Sequence, residues 1–286
     1  MLTTFAILAL LAQPAAPVER DIPYVPGGGH AQQLDLYLPA AAHFPTLLFV
    51  HGGSLTSEDK NDPPYERLCP AFQAAGIGCA NVNYRLAPGA KWPAQPKDVA
   101  AAFAWVKRHV AERGGDPGRV FLMGHSSGCF LVSMISTDPR YLKEQGLATT
   151  DVAGFVAMGC RLNDWNLKDH CMTLDQVRPH FEADGGEKRV FTSVEDRAAA
   201  NPTLYIGKQV PPFLALVAEA ERFQPPILEE AAAFARKLQE EGVAADVRIL
   251  PDRKHMSAVE KMPEPGDPTF QIVAGFVRAG APAARP

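Results

Sequence analysis

Charge of a single sign is what this 286-residue chain most lacks: 28 Lys and Arg stand against 32 Asp and Glu, for a formal net charge of −4. No long run of either sign occurs. The basic footprint that holds nucleic acid is therefore missing, as is a polybasic stretch for anionic lipid. The expected partner is a small molecule. Leu2 to Ala12 is an apolar run, but it falls short of the ~20 residues that span a bilayer. No stable membrane anchor is expected from it. Its length, and the small residues from Gln13 to Pro17, fit a secretory signal, so residues 1–16 are expected to be cleaved and the protein exported. The competing reading is a greasy first helix docked on the domain, and no Lys or Arg precedes the run.

Cysteine is sparse, and the five residues are odd in number, which argues against a disulfide scaffold. Cys79 and Cys129 sit in apolar runs and read as small buried hydrophobes. Cys160 and Cys171 are a candidate pair. His170, Cys171 and His180 match no zinc spacing, so neither metal nor cofactor is expected. Repeats and low-complexity linkers are absent. With 47% hydrophobic and 21% charged residues, residues 17–286 are expected to form one α/β domain with a sizeable core.

Hydrophobic periodicity fills in that domain. Gln32 to Leu38 alternates as a half-buried strand does, while Pro45–Val50, Ile77–Asn83 and Val120–Met123 are continuous apolar runs, expected for strands covered on both faces. Asp151–Met158, Pro212–Val217 and Ala245–Leu250 read as further strands. Helical spacing appears from about Pro64 to Ala75, Lys97 to Arg113, Cys129 to Thr137, after Pro226 and from Phe270 to Ala279. Strands alternating with helices imply a mostly parallel sheet with helices on both faces, whose ligands bind at the carboxyl ends of the strands. The more polar stretch 161–202 is expected to form a small cap, with Trp165 and Phe181 as pocket walls or as the cap's own core.

Gly124-His-Ser-Ser-Gly128 is a G-x-S-x-G match between a buried strand and a helix. A sharp strand-to-helix turn lifts a serine hydroxyl clear of the sheet, which makes Ser126 the candidate nucleophile. His51-Gly-Gly-Ser54 follows another buried strand, and its backbone N–H groups, with that of Ser127, suit a developing oxyanion. His51 itself reads as structural. The base must follow the serine in this arrangement. Of His170, His180 and His255, only His255 lies just past a terminal strand, in Asp252-Arg-Lys-His255. For the acid, Glu221 is the first choice, Glu219 the second and Asp164 the third; a solvated charge is the competing reading for any of them.

Together these segments resemble the α/β-hydrolase esterases and lipases related to hormone-sensitive lipase and the kynurenine formamidase-like carboxylesterases, over a span from about Asp21 to the last helix. Asn83-Tyr-Arg-Leu-Ala-Pro88 is similar to that branch's YRLAP segment, for which a structural role is expected. The resemblance implies the α/β-hydrolase fold, ester cleavage without a cofactor, and oxyanion donors at Gly53 and Ser54, where Ser54 replaces the third glycine of H-G-G-G. It also implies that Ala218-Glu-Ala-Glu221 stands for a G-E-x-D acid motif, with Glu in place of Asp. Amide hydrolysis, as by an arylformamidase, is the rival enzyme reading. An inactive hydrolase fold used for binding is the rival outside catalysis.

Overall fold

A computed structural model describes residues 17–162, 174–221 and 227–280. The expected signal segment, Asp164, Trp165, His170 and Cys171 lie outside those residues.

Eight strands form one sheet: β1 (Val18–Pro23), β2 (Gln33–Tyr37), β3 (Phe44–Val50), β4 (Gly78–Val82), β5 (Gly115–His125), β6 (Phe155–Met158), β7 (Phe213–Ala218) and β8 (Ala245–Leu250). Their spatial order is β1-β2-β4-β3-β5-β6-β7-β8. β1 and β2 join antiparallel at one edge, and every pairing from β4 to β8 is parallel. All seven residues of β3 are buried, as expected of a strand covered on both faces.

Helices follow the strands. After β3 come α1 (Pro63–Glu66) and α2 (Leu68–Ala74), where the spacing suggested one continuous helix. Next are α3 (Ala94–His109), α4 (Ser127–Thr137) and α5 (Pro139–Lys143). Between β6 and β7 stand α6 (Leu174–Ala183), α7 (Gly185–Val190) and α8 (Val194–Ala199), within the polar stretch. α9 (Ile227–Glu240), α10 (His255–Glu260) and α11 (Pro268–Ala279) complete the chain. α9 buries Ala231, Phe234, Ala235 and Leu238, the stripe an amphipathic helix lays on a sheet. α11 is cut at both ends by local chemistry. Asp267 accepts from the amides of Thr269 and Phe270 ahead of Pro268, and Gly280 closes the helix at φ 79°.

Strand alternation sorts the core into two layers. Leu48, Val50, Leu122, Phe155 and Ala215 pack with α3, α4 and α9, while Leu47, Phe49, Phe121, Val156 and Leu216 pack on the other face with α1, α2, α10 and α11. Two sequence expectations need correction. β1 was not anticipated, because VERDIP is polar and mostly exposed; its place is set by antiparallel pairing with β2. Cys79 and Cys129 are not free buried thiols, and Cys160 does not await Cys171. The disulfides are Cys69–Cys79, tying α2 to β4, and Cys129–Cys160, tying the start of α4 to the chain just after β6. Parallel register brings the end of β6 beside the end of β5, so the segment after it reaches the first turn of α4.

The bridges span sequence separations of 10 and 31 residues. Loop-closure entropy then gives about 3 kcal/mol for the first and about 4 kcal/mol for the second. Replacing each pair by serine should lower the urea-unfolding free energy by such amounts, and non-reducing peptide mapping should recover both cross-links. Unfolding midpoints unmoved in both double variants would contradict the pairing.

Candidate active site

β5 ends at His125 and α4 begins at Ser127, leaving Ser126 alone in the turn at φ 53° and ψ −123°. A non-glycine residue with positive φ stores strain that only its surroundings can enforce. Here the Ser126 amide donates to the Met158 carbonyl of β6 at 2.9 Å. The two motif glycines are needed for close approach. A Cβ on Gly124 would lie 2.1 Å from the Gly128 carbonyl oxygen, and one on Gly128 would lie 2.1 Å from that of Val50 and 2.4 Å from that of His51. Helix α4 therefore starts in direct backbone contact with the end of β3.

That contact joins the serine turn to the segment His51–Leu55. Gly53 has φ 89°, and a Cβ there would meet the Ser57 carbonyl oxygen at 2.0 Å. Its carbonyl accepts from the amides of Thr56 and Ser57 at 2.9 and 3.0 Å, curling the loop back on itself. Leu55 donates its amide to Ser127 Oγ at 3.3 Å. Tyr84 donates to the Gly52 carbonyl at 2.7 Å and stacks on His51 with ring centroids 4.4 Å apart. Among the described residues, the amides of Gly53, Ser54 and Ser127 donate to nothing. Ser127 begins a helix, whose first amides have no intrahelical acceptor. Ser54 and Ser127 line the same cavity as Ser126, a space of about 560 Å³ that Asp184, Arg189 and Phe191 also line. Cys160 of the second disulfide also lines it.

Past β7, Glu221 ends a short 3₁₀ turn, Glu219–Glu221, and is buried. One of its oxygens accepts from the Ala218 amide at 3.1 Å, and the other lies 2.5 Å from His255 Nδ1. An acid that only accepts makes Nδ1 the donor, leaving Nε2 free to act as a base. His255 opens α10, where a loop was expected. The acid turn and the histidine segment are laced together: Ala220 donates its amide to the Arg253 carbonyl at 3.1 Å, and Asp252 its amide to Glu219 at 3.0 Å. Glu219, the second choice, thus ties down the neighbouring backbone while Glu221 meets the imidazole. Gly159, at φ 65° after β6, backs this pair; a Cβ on it would sit 3.1 Å from His255 Nδ1.

A family model described as BD-FAE matches residues 34–238. The chain belongs to the BD-FAE family. Esterase LipQ of Mycobacterium tuberculosis is 28% identical over 243 residues, covering 82% of this chain and 56% of LipQ. A probable isoprenylcysteine alpha-carbonyl methylesterase of Arabidopsis thaliana, ICMEL1, is 27% identical over 272 residues, covering 91% of this chain and 56% of its own. The chain spans about half the length of the curated relatives it matches. Among solved structures, EstE1, a thermophilic carboxylesterase cloned from a metagenomic library, superposes with a TM-score of 0.73 at 22% identity, over 96% of this chain and 92% of that one. The fold is that of the α/β-hydrolases, as the resemblance implied.

Several residues of this BD-FAE chain bear on the site without having been singled out for it. Tyr65, Glu58 and Gly159 carry no motif. Tyr84 was assigned only a structural part in the YRLAP segment. His125 stands inside the Gly124-x-Ser-x-Gly128 motif, at the end of the apolar half of β5, but the motif leaves that position open to any residue. His51 and His125 are both fully enclosed, and burial lowers each from its ordinary 6.5 to about 4.

Both rings are consequently neutral when folded and free to charge when unfolded. Their contribution to stability is whole above about pH 6.5 and is lost as pH falls toward 4, on the order of 3 kcal/mol each. In a proton NMR titration of the eight histidines, the rings of residues 51 and 125 should hold their shifts between pH 7.5 and 5. Ordinary titration near 6.5 at either ring would contradict the enclosure described.

Proposed function

We propose that this chain hydrolyses carboxylic esters of small molecules through an acyl-enzyme on Ser126. His255 Nε2 takes the proton from Ser126 Oγ as that oxygen bonds the carbonyl carbon, and the amides of Gly53, Ser54 and Ser127 hold the resulting oxyanion. The carbon–oxygen bond to the alcohol breaks, and the alcohol leaves with the proton held by His255. Water, deprotonated by the same nitrogen, then releases the acid and restores Ser126. Glu221 keeps the imidazole oriented and stabilises it when charged. The observation that most supports this reading is the 2.5 Å contact between Glu221 and His255 Nδ1, which leaves Nε2 available as a base. The names of the esterases to which the chain is similar add support.

The helices α6 to α8 serve as a cap in this reading, since residues 184–197 supply part of the cavity wall. Two disulfides, which persist in oxidising compartments, favour an exported protein. The reading needs no metal; among the described residues no group of three or more His, Cys, Asp or Glu is arranged to hold one.

A fluorophosphonate probe should label the native protein and leave Ser126→Ala untouched. Glu221→Gln should lower kcat by on the order of 10⁴-fold, the scale on which a triad carboxylate acts. Glu219→Gln should cost far less. Turnover of p-nitrophenyl acyl esters against N-formylkynurenine separates ester from amide preference, the second reading. A folded, unlabelled protein would defeat both and leave a binding role.

A further inference from the structure

We infer that the buried Tyr65 and His125, with the half-buried Glu58, form a positioning centre that sets the oxyanion loop and the base-bearing segment in fixed relation to each other. The inference rests on the hydrolase reading above. Tyr65 lies in α1 and is 1% exposed, and His125 is wholly buried. From this one phenol oxygen three directions open. It donates to Glu58 Oε2 at 2.6 Å, accepts from the Gly52 amide at 3.3 Å, and stands 3.3 Å from His125 Nδ1. Beyond it, His125 Nε2 lies 3.1 Å from the backbone carbonyl of His255, and their rings are 4.6 Å apart. A carbonyl only accepts, so Nε2 carries the proton of this neutral ring and Nδ1 is left an acceptor, toward which the phenol's one proton, directed mainly at Glu58, is shared.

The chain of contacts therefore starts on the Gly52 backbone, beside the Gly53 and Ser54 amides, and ends on the backbone of His255. None of its three side chains belongs to the Ser126–His255–Glu221 set. Glu58 sits at φ 71° in the same loop as Gly53, so its carboxylate anchors the phenol from the oxyanion side. Burial also raises the Tyr65 phenol well above its ordinary range, which keeps its proton in place. A small displacement of reacting groups costs rate far more than binding. Loss of the phenol oxygen should accordingly appear in kcat and not in KM.

The test compares Tyr65→Phe with the native protein on a p-nitrophenyl ester and on a fluorophosphonate. The phenyl ring keeps the packing and removes only the oxygen. Expected are a kcat lower by roughly 10- to 100-fold, a KM within about threefold, and a labelling rate reduced in step with kcat. Glu58→Ala should reproduce much of that loss, and Glu58→Gln, which keeps an oxygen acceptor, should recover most of it. Native kcat in Tyr65→Phe, or a change confined to KM or to the melting temperature, overturns the inference. If Tyr65→Phe does not fold, the Glu58 pair decides: equal kcat in Glu58→Ala and the native protein overturns it. Absence of labelling in the native protein defeats the hydrolase reading instead.

Discussion

The site depends on a place where side chains are forbidden. Gly124, Gly128 and the carbonyls of Val50 and His51 are packed backbone to backbone, with no room for a single methyl group at either glycine. Because β3 and β5 are parallel neighbours, their carboxyl ends arrive together, and the missing Cβ atoms let α4 start against the end of β3. The strained turn at Ser126 and the amides after His51 are thereby joined. The Leu55 amide, which donates to Ser127 Oγ, adds a second tie between the two segments.

Sheet order supplies the rest. β5, β6, β7 and β8 lie side by side in chain order, so Ser126, Gly159, Glu221 and His255 leave successive strand ends at one edge. Such an edge is where parallel sheets place ligands. Glu221 and His255 meet directly, and Gly159, which lies against both, lines the same cavity as Ser126. Gly159 illustrates how tight the arrangement is: its bare Cα leaves space for the imidazole and carboxylate that meet beside it. The second disulfide ties α4 to the segment that carries Gly159, and its Cys160 lines the same cavity as Ser126.

Legibility in the sequence followed backbone necessity. His51-Gly-Gly and Gly124-x-Ser-x-Gly128 were readable because their geometry tolerates few other residues, and the parallel strands because double burial demands unbroken apolar runs. Which candidate carboxylate approaches the imidazole was less accessible. Glu219 and Glu221 are two residues apart on one short turn, and only the tertiary placement shows which of them meets the imidazole and which ties the Asp252 amide. The disulfides were missed because cysteine in an apolar run looks the same free or bonded. β1 was missed because an edge strand needs no hydrophobic pattern. Glu58, Tyr65 and His125 come from a loop, a helix and a strand, and no spacing in one dimension connects them.

The most direct test of the central claim is a crystal structure of the protein inactivated by a small alkyl phosphonate. Phosphorus is expected on Ser126 Oγ, with one phosphonyl oxygen accepting from the amides of Gly53, Ser54 and Ser127 together and His255 Nε2 facing the departing-group side. A phosphonyl oxygen turned away from the His51–Leu55 loop, or held by Ser127 alone, would contradict the claim that the glycine contact builds one shared oxyanion site.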